Sequence, residues 1–269
     1  MRRFVLIFFV VFFMLTSVFL ANVSNINSLS DLIGKTIGLV GSSVAPKEAI
    51  ISAITSVIGG KPGELIFFNS NSDGITALMF GKIDSMMLPA MSAEFYIKRN
   101  QTLKKIEEKE KNKFYTVMVL RTENSELRDR INNTIKTLEK NGKLKELQDE
   151  WINNFPADRE PSMKEIPLIN GAKTYYVGVS GDMTPLDYIG VDGRPAGFNV
   201  ALLSEISKQL NINFKFLSLE NQAKYTALHS RKIDIIFCTL KTKTNFTNLN
   251  QLTTEPYFSF EGVCYLVKK

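Results

Sequence analysis

Cysteine and histidine are nearly absent from this chain. Two cysteines in 269 residues, Cys238 and Cys264, cannot build a disulfide framework and lack the spacing of zinc ligands. A lone histidine, His229, excludes a multi-histidine metal site and a two-histidine catalytic arrangement. Charge of one sign is also scarce. The formal net charge is +6, and Arg2 and Arg3 carry two of those charges, leaving +4. The other basic residues alternate with acids, as in KKIEEKEKNK at 104–113, which reads as a solvated helix face and not as a nucleic-acid patch. No paired carboxylates and no nucleophile–base pair stand out, so the reading is of a non-enzyme. With 44% hydrophobic and 22% charged residues the composition is globular, which excludes disorder, collagen-like repeats and a multi-span membrane protein.

The first residues read as an address. Arg2 and Arg3 precede an unbroken apolar run from Phe4 to Leu15, which resumes after Thr16 and Ser17 and continues to Leu20. A positive start followed by such a stretch is the pattern of a secretory signal over residues 1–21. Ala21 suits the cleavage position, but Phe19 is too bulky for a small-x-small site. A retained membrane anchor therefore stays open beside a cleaved signal. No cysteine lies nearby, so a lipid-anchored start is excluded.

The remainder echoes itself. Residues 35–43, KTIGLVGSS, read as a short strand, a small-residue turn and then a helix over Pro46–Val57. Residues 174–183, TYYVGVSGDM, repeat the strand and turn. TALMFGKID at 76–84 and TALHSRKID at 226–234 share Thr-Ala-Leu and Lys-Ile-Asp at the same spacing. Each is read as a helix end, a tight turn and an apolar strand, Ile83–Leu88 and Ile233–Cys238. Alternating strands and helices predict parallel α/β sheets. Two similar α/β lobes suggest a ligand held between them, where loops leave the carboxyl ends of the strands.

The segment 174–269 resembles the first lobe of the periplasmic amino-acid-binding proteins that serve ABC transporters, extracellular solute-binding protein family 3. Val177-Gly178-Val179 resembles the family's opening strand, Met183-Thr184-Pro185-Leu186 its site loop, and GRPAGFNVAL from Gly193 to Leu202 its turn and helix start. Lys232-Ile233-Asp234 and Glu255-Pro256-Tyr257 resemble later landmarks of that lobe. The segment 28–152 resembles the rest of the family. SLSDLIGKTIGLVGSS is similar to the opening of the second lobe, and ENSELRDRINNTIKTLEKNGKLKELQDEWI to the C-terminal helices with their final tryptophan, Trp151. The resemblance implies a two-lobed α/β fold of the type II periplasmic-binding-protein kind, with the halves in the wrong order: a circular permutation. It implies a second lobe over 27–113, a crossing strand and C-terminal helices over 114–152, a linker over 153–173 and a first lobe over 174–269. The linker contains three prolines. A truncated tandem array, completed by another chain, is the alternative. One crossing strand is expected at Phe114–Arg121. The other, Gly262–Lys268, should lie beside it and be cut by the chain end, leaving one covalent hinge.

The resemblance also implies partners and a site: a small polar ligand captured for an ABC permease by a monomer exported to the periplasm or extracellular space, without cofactor, metal or nucleic acid. A membrane-anchored sensory domain, a dehydratase-like enzyme and a degenerate site are the rivals. Carried over by position, the site comprises Ser42, Ser43, Pro89, Ser180, Met183, Thr239 and Lys241. Thr239 keeps the family's hydroxyl chemistry, and the Ser42–Ser43 turn suits an anion at a helix N-terminus, although both serines suit a simple cap equally well. The family's carboxylate-binding arginine falls on Phe246 or Asn245, its amine-binding aspartate on Pro89, its stacking aromatic on Met183, its loop acid on Ser180 and a helix aspartate on Ala201. Lys241 is the one replacement cation nearby, or else a solvent-facing lysine, and Met183 is either a ligand contact or core. The expected ligand is therefore anionic or neutral, with weak binding of common L-amino acids. Cys238 and Cys264, in apolar strands, are expected to be buried free thiols.

Overall fold

The computed structural model describes residues 25–40, 46–156, 163, 165–220, 223–241 and 252–269. The strands are β1 Thr36–Val40, β2 Glu64–Phe68, β3 Ser85–Pro89, β4 Leu103–Glu107, β5 Lys113–Leu120, β6 Thr174–Val179, β7 Asp182–Met183, β8 Asp187–Ile189, β9 Pro195–Ala196, β10 Asn213–Ser218, β11 Ile235–Lys241, β12 Leu252–Thr253, β13 Phe258–Glu261 and β14 Val263–Lys268. The α-helices are α1 Lys47–Ile58, α2 Asn71–Met79, α3 Ala90–Arg99, α4 Ser125–Lys140, α5 Lys143–Gln148, α6 Phe198–Leu210 and α7 Ala223–His229. The segment 1–21 lies outside the described residues. Among the described residues no helix is long and apolar enough to cross a membrane.

The strands form two main sheets and so two α/β lobes. The N-lobe sheet has the order β2-β1-β3-β14-β4, and the C-lobe sheet the order β10-β6-β11-β5-β12. In both, the first three strands are parallel and the fourth runs antiparallel to the third. That fourth strand comes in each case from the other side of the hinge: β14 leaves the C-lobe, and β5 leaves the N-lobe. A small ribbon, β7-β8-β9, stands on the C-lobe.

The repeated sequence does the same work in both lobes. Asp84 accepts from the backbone N–H of Thr36 at 2.9 Å, and Asp234 from that of Tyr176 at 2.8 Å. Each aspartate thus clips the first residues of its lobe's central parallel strand. Two residues further along lie Gly38 and Gly178. A Cβ at either position would come within 2.6 Å of the Cδ1 of Ile83 or Ile233, the isoleucine of the same motif. Glycine is needed there because a helix-to-strand turn packs directly on the strand.

The C-terminal strand departs from expectation. Residues 263–268 do not lie beside Phe114–Arg121; they sit in the N-lobe sheet between β3 and β4. The segment beside β5 is β13, with Glu261 opposite Lys113. Cys264, Tyr265, Leu266 and Val267 are all fully buried. A continuous apolar run needs cover on both faces, and a central sheet position supplies it. Gly262, at φ 79°, makes the bend, and its N–H donates to the Asn112 carbonyl at 2.9 Å. The hinge therefore has two covalent crossings, 108–112 and 261–263, and not one. The charged run at 104–113 is no helix: it is β4 followed by the first crossing.

The C-lobe has one continuous core, running from Met118 through Trp151 and Phe155 to Tyr257. In α4 the buried residues Leu127, Ile131, Thr134, Ile135 and Leu138 form one helical stripe facing it. The ends of the proline-containing connection are pinned. Phe155 is buried, and the Asn213 side chain bonds the Ile169 N–H and carbonyl at 2.8 and 2.9 Å. The N-lobe instead has two smaller clusters, one with Ile37, Leu39, Ile54 and Tyr265, the other with Leu78, Met86, Leu88 and Leu266.

Candidate functional site

A cavity of about 550 Å3 lies between the lobes, bounded by both sheets, α1, α7 and the two crossings. Its N-lobe wall is mostly apolar, with Leu39, Ile54, Val57 and Met87 among its residues, and Val263 and Tyr265 join from β14. Its polar side chains are Asn71, Glu108, Asn112, Asp182, Lys224, Tyr225 and Thr239. One flank of the cleft is closed by direct contacts. Asn71 Nδ2 donates to the Asp182 carbonyl, and Ser92 Oγ donates to that of Thr184 at 2.5 Å. Phe95 of α3 meets Phe155 edge-on at 4.9 Å, and the Arg99 guanidinium lies 3.9 Å from the Phe95 ring centre. A cation over an aromatic face adds to such packing.

Of the residues the sequence placed here, Pro89, Met183 and Thr239 line the cavity. Met183 is partly buried against the C-lobe core and lies 3.5 Å from the Cys238 sulfur, so it serves core and cavity together. Ser180 is not on the wall: its backbone N–H donates to Asp187 at 3.3 Å, beneath the floor. Lys241 is not on the wall either. It is buried opposite Tyr115 at the end of β11, beyond a register shift between Ile236 and Thr239 where Cys238 adopts φ 57°. That bulge changes which side chains face the cleft. Ser42, Ser43, Asn245 and Phe246 lie outside the described residues. Ala201 is buried in the C-lobe core.

Several charged groups on the wall of the cavity or beneath its floor were missed. Asp187 is fully buried, and its burial pushes the pKa up to about 6 against the opposing charge of Lys224 and the Gly181 N–H; one of its oxygens has no partner. Lys224 is itself buried on the wall. Asp182 and Glu108 add two acids to the lining. Glu108 is 9% exposed, and burial alone raises its pKa. The Tyr265 hydroxyl, also of a lining residue, is buried without a hydrogen-bond partner among the described residues. Both thiols are buried and free, each pushed up to about 12 chiefly by burial, which makes them inert as nucleophiles. Among the described residues no three His, Cys, Asp or Glu side chains cluster as metal ligands.

Residues 175–269 match the family model described as bacterial extracellular solute-binding proteins, family 3. This match covers the C-terminal third of the chain. Residues 9–135 match a second model, NMT1/THI5 like. No curated protein matches the chain. Among solved structures, the ligand-binding component of an ABC-type import system from Staphylococcus aureus, with zinc bound, is 14% identical with a TM-score of 0.43. The match covers 87% of this chain and 65% of that one, so this chain spans just under two thirds of its length. The GluR0 ligand-binding core in complex with L-glutamate is 14% identical over 88% of this chain and 85% of that one, TM-score 0.45. A Gly52Ala mutant of arginine-bound ArgBP from T. maritima is 15% identical over 87% of each chain, TM-score 0.40. The family 3 segment supplies the floor of the cavity, with Asp182, Met183, Lys224, Cys238 and Thr239.

Proposed function

We propose that the chain is an extracytoplasmic solute-binding protein that captures a small polar ligand between its lobes and presents it, as a monomer, to an ABC-type permease. The observation that carries this reading is the cavity of about 550 Å3 walled by both lobes, with a floor inside the family 3 segment. The two crossings at 108–112 and 261–263 run side by side, the geometry of a hinge about which lobes close on a ligand. The apolar run behind Arg2 and Arg3 supports export. We read the architecture as a circular permutation, supported by the family 3 match at the end of the chain and by the exchange of β5 and β14 between sheets. We read the role as binding and not turnover, a reading supported by the Cys238 thiol on the wall, whose burial pushes its pKa up to about 12.

A thermal-shift screen of amino acids, amines and small acids tests the function. A ligand that binds only the native state at a hundred times its Kd adds about 2.7 kcal/mol of stability. One class should raise the melting temperature of the full chain, and Thr239→Trp, which projects a bulky ring into the cavity, should abolish the rise. A shift that survives Thr239→Trp, or no shift with any class, refutes the reading.

A further inference from the structure

We infer that Glu108 is the anchor for a ligand ammonium group, and that the cavity takes a small primary amine with an apolar body. The inference rests on the ligand-binding reading of the cleft and gives its chemistry. Glu108 is on the first hinge crossing and lines the cavity at 9% exposure. No described residue gives its carboxyl a hydrogen bond or an ion pair. Two nearby lysines are engaged by other carboxylates. Lys105 holds Glu94 and Glu107 at 2.5 Å each, and Lys111 holds Glu107 at 2.8 Å. Lys224, the one cation on the wall among the described residues, acts on Asp187 instead. A buried carboxylate without a partner is costly, and proteins keep such groups for a ligand or a proton.

A second feature points the same way. The Tyr265 hydroxyl is buried without a hydrogen-bond partner among the described residues, and Tyr265 lines the same cavity as Glu108. Asn112, on the same crossing, also lines the cavity. A primary ammonium has three donors, and Glu108, Tyr265 and Asn112 offer acceptors for them. The described wall also includes Leu39, Ile54, Val57 and Val263, which suits a hydrocarbon body. Two acids, Glu108 and Asp182, outnumber the one described cation on the wall, Lys224, which disfavours the anionic ligand expected from the sequence.

Titration calorimetry on the full chain tests this with three probes of one skeleton: n-pentylamine, n-pentanol and n-pentanoate. Pentylamine should bind at least about tenfold more tightly than the other two. Glu108→Gln should weaken pentylamine by at least about tenfold, which is about 1.4 kcal/mol, without lowering the ligand-free melting temperature. Asn112→Asp, on an exposed loop residue, should tighten it and guards against a Glu108 variant that folds poorly. Equal pentylamine binding by Glu108→Gln, or tighter binding of pentanoate, overturns the inference. If the amine fails while another class binds and Thr239→Trp blocks it, the cleft reading stands and the Glu108 inference falls. If no compound of any class binds, both fall.

Discussion

The two lobes are built on one plan and stabilised in different ways. Each has the same strand order, the same Asp clip on its central strand and the same glycine beneath the motif isoleucine. The C-lobe packs its strands, α4, α5 and α6 into one continuous core, whereas the N-lobe divides its apolar side chains between two clusters. The clip itself differs. Asp234 also pairs with Arg121 at 2.5 Å, a partner that comes from the end of β5. The turn before the clip differs as well: Gly81 takes φ 71° in the N-lobe, and Arg231 is held at φ 63° in the C-lobe. A shared backbone plan therefore leaves each lobe free to distribute its stabilisation. The strand exchange at the hinge ties the two distributions together.

The largest expected effect comes from the C-lobe core. Phe198 is fully buried and packs its ring 5.5 Å from that of Phe258 and 6.4 Å from that of Tyr257. Phe198→Ala should cost about 3–5 kcal/mol, and Leu266→Ala in the N-lobe about 2–5 kcal/mol. Because β5 and β14 are exchanged, urea melts followed by fluorescence and by circular dichroism should show one coincident transition in both variants. Two separated transitions would show that the lobes fold independently despite the exchange.

A pH response should belong to the C-lobe. The folded pKa of Asp187, about 6, lies above its ordinary value of 3.8, so the folded state holds the proton more tightly. Its contribution is full below about pH 4 and is lost as pH rises through about 6, a change of about 3 kcal/mol. Urea denaturation at pH 4 and pH 7 measures it. The wild type should lose that amount relative to Asp187→Asn, whose own profile should lack this component.

The two glycines sharpen the comparison at smaller magnitude. A Cβ on Gly38 would meet Ile83, Phe68 and Met86 at 2.6, 2.8 and 3.1 Å, and one on Gly178 would meet Ile233 at 2.6 Å with the next atoms at 3.4 Å or beyond. Gly38→Ala should cost about 1–3 kcal/mol and Gly178→Ala less, since a single flexible side-chain end can yield. Chemical denaturation of both variants ranks them. The smallest effect is at the turn. Arg231→Gly should stabilise by about 0.5–1 kcal/mol, because the left-handed conformation strains a residue with a Cβ, and the exposed contact it loses, to Glu123 at 3.4 Å, contributes little. A calorimetric melting temperature below that of wild type would count against strain at this turn.

The sequence by itself determined the local plan. TALMFGKID and TALHSRKID specified two helix–turn–strand units because Thr-Ala-Leu and Lys-Ile-Asp encode near neighbours: a helix end, a turn, and a carboxylate beside a strand start. The strand at 113–120 and the helix α4 were expected from the family resemblance of their segments, and the structure contains both. Part of the cavity wall was legible too: Pro89, Met183 and Thr239 lie in strands whose motifs were recognisable. What only the tertiary structure decided was long-range. The run 263–268 reads as a strand anywhere, and only the gap between β3 and β4, beyond the bend at Gly262, assigns it to the N-lobe. The bulge at Cys238 took Lys241 off the cavity wall, because one inserted residue changes the alternation of every side chain after it. Glu108 was invisible within KKIEEKEKNK, where it is one charge among seven others that face water or other charges. Its burial depends on β14 arriving from the other end of the chain, and burial is a property of neighbours that no local spacing encodes.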